Sequence, residues 1–249
     1  MQKLIIVIPT YNEADNLPAL ASQLWALPIP DLSLLVVDDG SPDGTGEVAE
    51  NLAAHNAGRI EVIHRNGKLG LGTAYITGFK HALASGAQAV GQMDADFSHS
   101  PQYLPDFMHL LESGDAVLGS RYVEGGSLDE RWGIGRVLLS WFGNAYARTI
   151  LGLKILDATG GFRLWRRDTL LGMPLDSIRS NGYVFQVEMA YVAQRLGYRL
   201  VESPIHFEDR RIGQSKMSFR IQLEAALRVW QVLLLHRKLT PADRACPPG

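Results

Sequence analysis

The chain has 249 residues, 46% hydrophobic and 20% charged, enough for one full core, and its lone Cys246 excludes an intrachain disulfide framework and fits a reducing cytoplasm. The net charge of −2 hides an asymmetry, because residues 1–120 carry 5 Lys and Arg against 14 Asp and Glu, whereas residues 121–249 carry 19 against 12. An acidic half suits metal chemistry and a basic half an anionic partner, while the lack of a basic cluster interleaved with aromatics argues against nucleic acid.

The apolar run Leu4–Ile8 is too short for a signal-peptide core and ends in Pro9. Near the C-terminus, Val232–Leu235 falls far below the roughly 20 residues of a bilayer span, so any membrane contact is expected to be peripheral. In chain order, Leu4–Ile8, Leu32–Val37, Ile60–Ile63, Ala87–Met93 and Ala116–Leu118 read as strands buried on both faces. Helices are expected between them, over about 13–27, 44–57, 71–86 and 101–113. Thr10 or Asn12 would cap the first, and Gly86 would end the third. This rhythm predicts an α/β fold with an open, mostly parallel sheet, whose ligands bind at the carboxyl ends of strands. Beyond residue 120 the reading gives helices at about 134–152 and 183–196, a turn at Gly160–Gly161, a strand pair near 199–207 and a last helix at about 217–238. The partition is one domain, 1–216, with its nucleotide half up to about 120 and its acceptor half after it, then the helix 217–238 and a tail, 239–249.

Three strand ends carry chemistry. The first ends in Pro9-Thr10-Tyr11-Asn12-Glu13, where a flat ring and a carboxylate could stack on and hydrogen-bond a base. At the second stand Asp38, Asp39 and Asp43, three carboxylates that repel one another unless a donor or cation compensates; a ribose or base could do so. An Asx-type turn accounts for residues 41–44 but not for Asp38 and Asp39. The fourth ends in Met93-Asp94-Ala95-Asp96. Carboxylates at i and i+2 on an extended segment point to one face and can share a divalent cation, and hard oxygen ligands select Mg²⁺ or Mn²⁺.

These blocks continue with Gly70–Ala74, Gly119–Tyr122, Asp157–Arg163, Phe185–Glu188 and Arg210–Lys216. Taken in order, they resemble the family 2 inverting glycosyltransferases of GT-A fold, and within them most closely the dolichol-phosphate mannose synthases, or polyprenyl-phosphate mannosyltransferases. The resemblance implies transfer of mannose from GDP-mannose to a polyprenyl (dolichyl) phosphate. It implies that Pro9, Tyr11, Glu13 and Asp39 hold the nucleoside, and that Asp94 and Asp96 hold the metal, with Ala95 lining the site. Where the family often supplies a Gln ligand this chain has Ser98, so Ser98 or a water would complete the set. It further implies that Arg121, Arg136 and Ser140 bind the acceptor phosphate, and that Arg210 and Lys216 close over the diphosphate. Asp94, Asp96, Arg121 and Arg210 are the expected catalytic residues, and Glu188 matches a position near the sugar.

A lipid monophosphate is already a competent oxygen nucleophile at neutral pH, since its second pKa is near 6, so no strong general base is required. Trp132, Leu138, Trp141, Phe142 and Tyr146 on or beside one helix, and Phe219, Leu223, Leu227, Trp230 and Leu234 on another, predict two faces that meet the cytosolic side of a membrane. A small membrane subunit is compatible with that arrangement. A UDP-sugar transferase making polyprenyl-phosphate glucose or aminoarabinose is the alternative within the class. An idle nucleotide- or partner-binding module on the same scaffold is the alternative outside it.

Overall fold

The computed structural model describes residues 3–209 and 219–245, with side chains for all of these but 219–222. In chain order the elements are β1 Leu4–Thr10, α1 Leu17–Trp25, β2 Leu32–Asp38, α2 Thr45–His55, β3 Ile60–His64, α3 Leu71–Ala84, β4 Ala89–Gln92, α4 Leu104–Leu111 and β5 Ala116–Ser120. They continue as β6 Ser127–Leu128, α5 Ile134–Leu151, β7 Arg163–Arg166, α6 Arg167–Gly172, α7 Tyr183–Arg195, β8 Leu200–Pro204, β9 His206–Phe207 and α8 Phe219–His236. Arg210 and Lys216 lie outside the described residues, as do the rest of their loop and Cys246.

Seven strands form one sheet in the order β3-β2-β1-β4-β7-β5-β8, all parallel to their neighbours except β7. The double-sided burial read from the sequence has a direct cause. Leu4, Ile6 and Ile8 of β1 face a core built with α1 and α4, whereas Ile5 and Val7 face a second core shared with α3 and α7. Helix α3 lies close on the sheet because Gly78 leaves room: a Cβ there would stand 2.3 Å from Val7 Cγ1. The five early strands thus form where expected.

Three expectations need correction. Neither Thr10 nor Asn12 caps α1, which starts at Leu17 after a turn closed by the Glu13 carbonyl; the Thr10 hydroxyl is committed to Asp38, 2.9 Å away. The two strands expected near 199–207 form but do not pair with each other, since β8 joins β5 in the main sheet and β9 pairs with β6 in a separate two-stranded ribbon. The strand β7 was not anticipated. It runs antiparallel between β4 and β5, so the loop before it emerges at the edge where β4 and β5 end.

Candidate active site

The strand ends gather the sequence motifs along one edge. Asp38 is buried, and its carboxylate accepts hydrogen bonds from the Thr10 hydroxyl and from the Ser41 amide and hydroxyl. Asp39, also buried, accepts from the Leu69 and Gly70 amides, both at 3.1 Å, and meets Arg65 Nη1 at 2.9 Å without hydrogen-bond alignment. Asp43 accepts from Ala14 and Thr45; burial pushes its carboxyl up, but these bonds outweigh it and leave it below its usual range. Protein donors thus offset part of the clustered charge, and Asp39 organises the 65–70 loop. That loop carries Lys68, whose ammonium lies 3.9 Å over the Tyr11 ring. The Glu13 carboxylate accepts from the Asn16 side chain at 2.7 Å, while its amide donates to Thr45. Pro9 sits one residue inside the end of β1, in register with Val37.

After β4, the Asp94 carboxylate accepts from the Tyr75 hydroxyl at 2.9 Å. Burial and the neighbouring Asp94 hold the Tyr75 phenol well above its ordinary pKa, so it remains a donor. Asp96 is buried and accepts from the Ser98 amide at 3.0 Å, and Ala95 is buried between the two carboxylates. Among the described residues the buried Ser98 hydroxyl has no partner. An orphaned buried oxygen beside two carboxylates fits the donor set of a hard divalent cation. Among the described residues no group of three His, Cys, Asp or Glu side chains forms an all-protein cage. This suits an ion that completes its shell with substrate phosphate and water.

His99, missed in the sequence, is buried behind this pair and stacks on Phe162 with ring centroids 5.3 Å apart. Burial lowers its pKa against the pull of Asp94 and Asp96. Gly161 borders the same space. A Cβ there would stand 3.2 Å from His99 Cε1 and 3.4 Å from Asp94 Oδ2.

The basic side is built on Asp157. Arg121 is buried, and its Nε and Nη2 each donate to Asp157 at 2.7 Å; Nη2 also donates to Thr159. Burial alone would lower the guanidinium pKa, but Asp157 keeps it raised; burial alone would raise Asp157, but Arg121 holds it below the usual carboxylate range. The loop carrying Asp157 is ordered by Arg163, a fully buried guanidinium that donates to the carbonyls of Ala158, Gly160 and Gln186. Burial pulls Arg163 down to about 10, so it stays charged at neutral pH. The Ser140 and Tyr122 hydroxyls are 3.0 Å apart, and Arg121 lies 5.3 Å over the Tyr122 ring. Arg136 donates to Asp209 at 2.7 Å and stacks 3.6 Å over Trp132. Arg121, Arg136 and Ser140 are thus drawn together through β5, α5 and their aromatic neighbours.

Glu188 has protein partners of its own. It is buried on α7, where it accepts from the Arg179 and Ser180 amides and pairs with His236 Nε2 of α8 at 2.7 Å. Its position fastens α8 to the body.

A GT-A sheet with paired carboxylates after the fourth strand defines a sugar-transferring enzyme class. The family model for glycosyl transferase family 2 matches residues 5–171, and the chain belongs to that family. It is 45% identical over 227 residues to an undecaprenyl-phosphate mannosyltransferase of Micrococcus luteus, an alignment covering 91% of this chain and 92% of the relative. It is 42% identical over 229 residues to a polyprenol monophosphomannose synthase of Mycolicibacterium smegmatis, covering 92% and 86%. Among solved structures, a mannosyltransferase of Pyrobaculum calidifontis in complex with GDP-Man and Mn²⁺ superposes with TM-score 0.65 at 18% identity, over 98% of this chain and 67% of that one. A glucosyl-3-phosphoglycerate synthase of Mycobacterium tuberculosis with Mn²⁺ and UDP gives TM-score 0.65 at 20% identity, over 95% and 80%. At such identities the solved structures establish the shared fold.

Proposed function

We propose that the chain transfers mannose from GDP-mannose to a polyprenyl (dolichyl-type) phosphate, with inversion, at the cytosolic face of a membrane. The observation that carries this reading is the meeting, on one sheet edge, of the Asp94/Asp96 pair after β4 and the buried Arg121 after β5. A carboxylate pair suits a metal-bound diphosphate, and a fixed guanidinium suits a phosphate nucleophile. The relatives with over 40% identity act, by their names, on polyprenol phosphates, which supports the same acceptor class.

Asp94 and Asp96 would hold Mg²⁺ or Mn²⁺, with Ser98 or water beside them, and the bound ion would neutralise charge on the departing diphosphate. Tyr75 fixes the Asp94 carboxylate for this task. Pro9, Tyr11, Glu13 and Asp39, with the loop that Asp39 organises, would receive the nucleoside, Lys68 yielding its place over Tyr11 to the base. Arg121 has Nε and Nη2 committed to Asp157 and Thr159, which leaves Nη1 to face an incoming phosphate. Arg136 and Ser140 would supply further donors. Arg210 and Lys216 keep the role their motif implies, closing over the diphosphate. Positioning an already ionised phosphate for in-line attack is the whole demand on the acceptor side, so no side chain need take up its proton.

No described helix is long and apolar enough to cross a membrane. Ile134, Leu138, Trp141 and Phe142 of α5 and Leu223, Leu227, Trp230 and Leu234 of α8 are exposed. We assign these faces to peripheral contact with the bilayer that holds the acceptor. Incubation with labelled GDP-mannose, Mg²⁺ or Mn²⁺ and a polyprenyl phosphate should give a mannosyl lipid. Transfer only from a UDP-sugar, or none from any donor, would defeat the proposal.

A further inference from the structure

We infer that Phe207 is a positioning residue for transfer, whose ring sets the distance between donor and acceptor by backing groups from both halves of the site at once. The inference rests on the reading that Asp94 and Asp96 serve the donor and Arg121 the acceptor phosphate. Phe207 acts through these neighbours and not on the reacting atoms.

Three segments of the chain meet on this one ring. The His99 ring stands steeply across it, with centroids 5.4 Å apart and planes at 73°. His99 is buried, follows the carboxylate pair by three residues, and faces the Asp94 amide with Nδ1 at 3.4 Å. Its imidazole therefore supports the backbone from which the two carboxylates project. From the acceptor side, the Arg121 guanidinium carbon lies 5.2 Å over the same ring. Trp132 stands perpendicular to it at 5.7 Å and carries Arg136 3.6 Å over its own face. Such contacts are individually weak and geometrically specific, which suits spacing better than stability.

The ring has a fixed mount. The Phe207 carbonyl accepts from the Asp129 amide at 3.0 Å, and on either side the His206 amide donates to the Tyr103 hydroxyl and the Asp209 amide to the Asp129 carboxylate, both at 2.9 Å. A ribbon of two residues per strand adds little stability by itself, so holding this side chain is what it contributes. In-line attack needs its groups held to about 0.5 Å, and a displacement of about 1 Å can cost roughly a hundredfold in rate. Asp157 anchors Arg121 through Nε and Nη2; the Phe207 ring ties the same guanidinium to the metal-side loop.

The test compares F207L, which keeps an apolar side chain without the ring, with F207Y, which keeps the ring. At saturating GDP-mannose, Mn²⁺ and polyprenyl phosphate, F207L should lower kcat by about ten- to a hundredfold. KM for the lipid phosphate should rise by less, and calorimetry should give a donor Kd within about twofold of wild type. F207Y should restore kcat. Phe207 is half-buried and outside the main sheet, so far-UV circular dichroism of both variants should match the wild type; F207M is read in the same way if F207L does not fold. The inference is overturned if F207L keeps the wild-type kcat, if donor Kd worsens as much as kcat falls, or if F207Y fails as badly as F207L. Failure of the wild type to bind or use GDP-mannose would instead strike the functional reading, and the inference with it.

Discussion

Arg121 and Asp157, 36 residues apart in the chain, meet as a two-pronged ion pair with both N–O distances at 2.7 Å and both side chains buried. The pair joins the end of β5 to the loop before β7, and each charge is tolerable in the interior only because the other is there. Removing one partner strands the other. Asp157→Asn should therefore destabilise the fold by about 3–5 kcal/mol, read from denaturant unfolding, and should weaken lipid-phosphate use in whatever enzyme remains folded. Arg121→Lys, which keeps the charge but cannot fork, should cost less stability while still raising KM for the acceptor.

The same pair sets an acid limit. The Asp157 pKa is depressed in the folded chain, so its contribution is full above the ordinary carboxylate pKa and drains away as pH falls through the lower folded value. Unfolding free energy measured from neutrality downward should fall below about pH 4, and Asp157→Asn should flatten that slope. An unchanged slope would show that other carboxylates govern acid unfolding.

For the metal side, Asp96→Ala should abolish metal-dependent binding of GDP-mannose and lower transfer by at least about a hundredfold, the scale of a lost electrostatic stabiliser. Its far-UV circular dichroism should match the wild type, so that the loss reads as lost donor binding and not as unfolding. Calorimetric titration with donor and Mn²⁺ reads the first effect directly.

Glu188 and His236 form the clasp of α8. Glu188→Gln leaves a neutral group under the Ser180 amide and the histidine, and His236→Ala removes the partner altogether. Either change should raise hydrogen exchange in α8, with a loss of about 1–3 kcal/mol in local stability. Uniform exchange across α7 and α8 in both variants would contradict the assignment.

Exposed apolar residues should matter only at a lipid surface. Trp230→Asp and Leu227→Asp are expected to reduce vesicle binding severalfold while leaving turnover of a short-chain, soluble acceptor close to wild type. Equal loss with both acceptors would indicate damage to the fold.

Much of this was legible in the amino acids. Strands buried on both faces are apolar throughout, so β1 to β5 stood out, and the carboxylates after β4 stood out with them. What escaped shares one cause: its residues look polar in sequence and become interior through partners that only the fold brings to them. Strand β7 begins and ends in arginine, and only the carbonyls of Ala158, Gly160 and Gln186 make Arg163 a core residue. Phe162 and Leu164 on one face and Trp165 on the other gave a period-two signal, masked by those charges. The contacts of Asp39 with the Leu69 and Gly70 amides could not be read in advance because those amides lie 30 and 31 residues away. Glu188 could not be separated from an ordinary helix charge until His236, 48 residues on, was found beside it.

The reversed strand β7 also bears on how such an enzyme can be taken apart. It comes from the later part of the chain yet lies between β4 and β5 of the earlier part, pairing Gln92 with Arg163 and Leu118 with Arg163. A chimaera joined after residue 120, meant to graft a new acceptor preference onto an old donor preference, would cut through the middle of the sheet. The two parents would then have to agree across a hydrogen-bonded seam as well as at the junction. Specificity in this architecture is better exchanged by replacing single loops than by trading halves.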